Sequence, residues 1–114
     1  MRAHKDHFVD GELQPKVFRE RMGSISVDWS KYSTPEQSRQ RAKKPPANAI
    51  ITLLAGKIRD VDPLTVFHDP DNQPSHLWRA HSGIGGMPED GEFKTEVRML
   101  LLDAIVDTPI MFSE

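Results

Sequence analysis

The chain has 114 residues, 37% of them hydrophobic and 28% charged, and a formal net charge of −2. That length suits one small domain around one core. No stretch is apolar for long enough to cross a bilayer as a helix, and the absence of cysteine excludes disulfides, thiolate metal ligands and thiol nucleophiles.

In chain order, MRAHKDHFVDGE lacks the apolar run of a secretory signal, so a cytoplasmic location is expected. Residues 1–14 are expected to pack loosely, with His7, Phe8 and Val9 the one cluster able to tuck against the body. PKVFRE (15–20) suggests a short strand. Ile25, Val27 and Trp29 alternate with Ser24, Ser26 and Asp28, the period of a half-buried strand, and Met22-Gly23 is a turn between the two. Thr34 then reads as a helix N-cap, with Pro35 at the first helical position and Gln37 completing a capping box. Arg41, Lys43 and Lys44 are expected in the last turn, where the helix dipole favours cations, and Pro45-Pro46 end a short surface helix.

NAIITLLAG (48–56) is nearly continuously apolar and rich in β-branched residues, the pattern of a central strand buried on both faces. Ile50, Leu53 and Leu54 are its expected core contacts. LTVFH (64–68) and HLWRAHSGI (76–84) read as an antiparallel pair, with Gly83, Gly85, Gly86 and Pro88 marking the exit loop. From Phe93 to Val106, apolar residues at 93, 97, 100, 101, 104 and 105 form one helical stripe, with acids near its start. The tail TPIMFSE, residues 108–114, is expected to be loose. The sum is a single α+β domain over residues 1–114: a small, mostly antiparallel sheet of four or five strands, one long C-terminal helix and one short surface helix.

Three of the five histidines fall between residues 68 and 81. His68, His76 and His81, with Asp69 and Asp71 nearby, carry the residue types of a metal site without any recognised ligand spacing, and no metal or other cofactor is expected. The same residue types serve metal-free RNA cleavage, which needs two proton-transfer groups and a cation near phosphorus. His68, His81, Arg79 and His7 are the candidates for that chemistry. GIGG lacks the spacing of a phosphate-binding loop and is separated from the next helix.

Charge gives the alternative to catalysis. Residues 33–59 carry six Lys/Arg against one acid, whereas residues 60–114 carry three against eleven. Such polarity suits docking by charge, with Arg39, Arg41, Lys43 and Lys44 as the expected partner-binding residues. The expected partner is a protein, a second copy of this chain included. Nucleic acid is the lesser expectation, because R-Q-R-A-K-K has no interleaved aromatics. No membrane partner is expected.

Phe18, Ser26-Val27-Asp28-Trp29, Tyr32, His68-Asp69-Pro70, Asn72 and His81 make the chain similar to a family of small uncharacterised bacterial proteins found near defence or toxin–antitoxin genes. The resemblance implies a bacterial, cytoplasmic setting and carries no activity. A looser similarity to ADP-ribosyltransferase-like domains rests on His7, SISVDW and an acid such as Glu96. The resulting expectation is a small accessory protein that binds another macromolecule. The alternative is a histidine-dependent enzyme acting on RNA or a nucleotide.

Overall fold

The computed structural model describes residues 1–70 and 79–113. Among them are eight strands, all paired antiparallel, and three α-helices, so the chain is α+β. The strands form three small sheets in place of the one expected. One sheet runs β1 (Arg2–His4), β5 (Asn48–Leu53), β8 (Ile105–Ile110). A second runs β4 (Ile25–Asp28), β7 (His81–Gly85), β6 (Thr65–His68). The third is a minimal hairpin of β2 (Phe8–Val9) and β3 (Glu12–Leu13). Its turn places Asp10 and Gly11 at φ 51° and 81°, the doubly left-handed geometry that a two-residue hairpin favours.

Strand β5 is central, as its apolar run implies. Ala49 and Ile51 belong to the main core cluster, and Ile50 is buried on the other face. The strand stops at Leu53, however, and Ala55–Arg59 turn into a short helix, α2. Leu53 is therefore half-buried and Leu54 is exposed, against expectation. The main cluster joins Ala3, Phe18, Ile25, Ile51, Ile58, Ile84, Val97 and Leu101. Of these, only Val97 and Leu101 share an element. Burying the larger of these side chains fully is worth about 1.5–3 kcal/mol each.

The first segment is not loose. Ala3 is fully buried, and residues 2–4 pair in register with 48–50 of β5. Residues 15–17 form a 3₁₀ turn, not a strand. The predicted turn at Met22-Gly23 is present with φ of 55° and 88°, closed by a single bridge between Arg21 and Ser24. Helix α1 (Pro35–Gln40) has the full capping box at Thr34 and Gln37. It ends before Arg41, which leaves Arg39 as the basic residue of its last turn.

The C-terminal helix, α3 (Gly91–Leu102), is shorter than its apolar stripe suggests. Val97 and Leu101 are buried, but Phe93 and Leu100 are exposed. Ile105–Ile110 leaves the helix to pair with β5, and Leu54 N donates to Ala104 O at 3.1 Å. A helical continuation would leave the edge of β5 unpaired, and Ile105, Val106 and Thr108 suit a strand. Pro109 is tolerated because β8 is an edge strand. Part of the tail is thus structured.

Gly83 and Gly85 lie inside β7 and not in a loop. A Cβ on Gly83 would fall 2.4 Å from the Phe67 ring tip, so the glycine leaves room for that ring on the sheet. Gly86, at φ 83°, ends the strand.

Candidate functional site

The strand register separates the two described histidines of the 68–81 stretch. His68 lies opposite Ser82, whereas His81 lies opposite Asp28. Because neighbouring residues of a strand point to opposite faces, His68 and His81 are on opposite faces of one sheet. Each imidazole is also tied to backbone: His68 Nε2 to Arg79 O at 2.5 Å, and His81 Nδ1 to Asp69 O at 2.8 Å. His7 lies elsewhere, near His4 and Arg19. The four catalytic candidates His68, His81, Arg79 and His7 therefore do not converge. Among the described residues no three His, Asp or Glu side chains are grouped to hold a metal ion. His76, Asp71 and Asn72 lie outside the described residues.

His68 and Arg79 do meet, around an aromatic group. Tyr32 N donates to Trp29 O at 3.0 Å, closing a tight turn over W-S-K-Y that brings the two rings edge to face at 5.4 Å. His68 stacks on Tyr32 at 5.6 Å and meets Trp29 edge-on at 5.1 Å. Lys31 Nζ lies 5.3 Å and 5.4 Å from the Trp29 and Tyr32 ring centres, and the Arg79 guanidinium is 5.9 Å from Tyr32. Trp29 and His68 of this group, with Phe67, Ile50, Leu53 and Ile58, line a cavity of about 420 Å³.

Next to Trp29 is a polar cluster. Arg41 bonds to Asp28 Oδ2 and donates to Ser33 and Ser38 at 2.9 Å and 3.2 Å, and Ser38 donates to Asp28 at 2.6 Å. Burial alone would raise the Asp28 pKa. The hydrogen bonds from Ser38 and Arg41 and the Arg41 charge outweigh it, so the carboxyl sits below its ordinary range. Arg39 is engaged as well, donating to the carbonyls of Pro45 and Asn48 and to Ser113 Oγ. Two of the four expected partner-binding residues are thus half-buried braces between segments, and only Lys43 and Lys44 are exposed.

The exposed lysines border a groove of about 870 Å³ whose other exposed cations come from far away in the chain. Arg2 arrives on β1, and Arg19 and Arg21 come from the segment between the 3₁₀ turn and β4. All five cations are exposed, and no charged group among them has a hydrogen bond or ion pair to the described residues. His4, His7 and the half-buried Arg41 also line it. Burial first, then the charges of Arg19 and His4, push the His7 pKa below 6.5 against the pull of Asp6. The acid in the wall, Glu20, lies 3.5 Å from Lys94 and 3.6 Å from Arg98, both from α3. Its charge is therefore met from behind, and the groove stays positive. Arg2, Arg19 and Arg21 escaped sequence reasoning because three segments must fold together to make the groove. R-E-R around Glu20 was the one local trace.

The chain matches no protein-family model, and no curated protein or solved structure is detectably similar to it.

Proposed function

We propose that this protein acts by binding an anionic macromolecule in the groove of Arg2, Arg19, Arg21, Lys43 and Lys44. The observation that carries this reading is the convergence of five exposed, unneutralised cations from three separate segments on one concavity. Like charges brought together repel, so folding gains nothing from this arrangement. A polyanion, in contrast, would gain by releasing the repulsion and by pairing with each cation. The cytoplasmic, accessory role expected from the sequence belongs to this proposal. A histidine-dependent catalytic role lacks support from His68 and His81, whose side chains face apart.

Retention on immobilised heparin tests the proposal. The protein should bind at low ionic strength and elute as salt rises, since exposed charges are screened within about 10 Å at 0.1 M. Reversing Arg21 and Lys44 together (Arg21→Glu with Lys44→Glu) should lower the eluting salt concentration while leaving the melting temperature nearly unchanged. Unaltered elution of that variant would remove the groove from the function.

A further inference from the structure

The aromatic group beside the groove narrows the class of polyanion. Trp29, Tyr32 and Phe67 keep 43%, 37% and 41% of their surface exposed, although folding normally covers rings of this size. The W-S-K-Y turn holds Trp29 and Tyr32 together, and Lys31 stands over both rings. Lys31 stands over both rings and Arg79 over Tyr32, so a cationic ligand would be repelled, while the exposed ring surface stays open to stacking. A flat, uncharged ring attached to an anion is favoured instead, stacking on the aromatic group while Lys31 or Arg79 meets its negative charge.

The two surfaces are neighbours. Arg41 lines the groove and bonds to Asp28, which lines the aromatic-rimmed cavity, and Trp29 follows Asp28 in the chain. A ligand with anions spaced along a chain and a flat ring on each unit fits both. We infer that the protein binds single-stranded nucleic acid, with phosphates along the groove and an unpaired base against Trp29 and Tyr32. This inference rests on the proposed groove function and gives its ligand class. Duplexes do not meet the requirement, because their bases are stacked on one another and offer no face to a protein ring. An acidic protein would satisfy the groove and leave the aromatic group without a role.

Fluorescence anisotropy with the full chain tests this, using labelled oligothymidylate and oligouridylate about twelve nucleotides long, a duplex of equal length, and polyglutamate. The expected result is tighter binding of a single strand than of the duplex or polyglutamate. Trp29→Ala and Tyr32→Ala should each weaken single-strand binding about tenfold, with little change for the duplex, and Trp29→Phe should restore most of the loss. Circular dichroism melts would confirm that each variant is folded. Should Trp29→Ala unfold the chain, Trp29→Phe and Tyr32→Ala carry the comparison. Equal binding of single strand and duplex, unaffected by the ring variants, would overturn the inference and leave the groove function standing. So would preference for polyglutamate. Failure to bind any of these polyanions would overturn both.

Discussion

Arg39 and Arg41 differ sharply from Lys43 and Lys44, although all four lie within six positions of one basic run. The arginines are half-buried, and their guanidinium groups are filled with partners: Arg41 holds Asp28, Ser33 and Ser38, and Arg39 braces Pro45, Asn48 and Ser113. The lysines are exposed and border the groove. A planar fork with five donors suits the joining of several acceptors, whereas a mobile ammonium suits an open surface. One basic run thus serves two purposes, internal bracing and a field directed outward.

Substitution can test this division, and the largest effect is expected at Arg41. Arg41→Met should lower stability by about 1–3 kcal/mol, because Asp28 keeps its charge and loses the group that satisfies it. Denaturant melts would measure it. A change below about 0.5 kcal/mol would mean that the pair contributes nothing to the fold.

Acid should reveal the same pair. The folded-state pKa of Asp28 lies below the ordinary 3.8, so the unfolded chain takes up that proton first. The associated stability is complete above 3.8 and is lost as pH falls through the lower, folded value. The stability difference between the protein and its Asp28→Asn variant should therefore shrink over that window, which melts at successive pH values would follow.

Lys43→Ala with Lys44→Ala should leave stability within about 0.5 kcal/mol. It should instead flatten the dependence of log affinity on log salt by about 1.4 for a single-stranded ligand, roughly 0.7 for each phosphate that a lysine no longer neutralises. Anisotropy titrations at several salt concentrations would give the slope. A stability loss as large as that of Arg41→Met would erase the distinction between the two residue pairs.

The smallest expected effect is on His7, whose pKa is lowered first by burial and then by the charge of Arg19. Its proton resonances should titrate below 6.5, and Arg19→Ala should move the midpoint upward by removing a nearby positive charge. Because the folded pKa is the lower one, acidification through 6.5 weakens the fold through this group, and Arg19→Ala reduces that loss. A midpoint indifferent to Arg19 would place the guanidinium too far away to shape the groove.

Much of the local structure was legible in the sequence because its causes span only a few residues. The Thr34–Gln37 capping box forms between positions three apart, the Met22-Gly23 turn needs only left-handed backbone, and the β-branched run at 48–53 takes an extended form. The antiparallel pairing of LTVFH with the 76–84 segment could be read in part, since those strands lie close in sequence, but β7 starts at His81 and takes in Gly85, which the sequence pattern assigns to the exit loop. The end of α3 could not. Ala104 and Ile105 continue its apolar stripe, and only competition from the open edge of β5 turns the chain into β8.

The candidate site divides in the same way. Composition and spacing alone determined an α+β chain and a basic run at 39–44, but they place Trp29 on a strand that in fact stops at Asp28. Tertiary structure decided which cations face outward, because that depends on whether Asp28, Ser33 and Ser38 fold against Arg41. It also brought Arg2, Arg19 and Arg21 beside the lysines and turned His68 away from His81. Residue type sets what a side chain can bind. Its partners are set by register and by contacts between segments far apart in sequence, which no local pattern encodes.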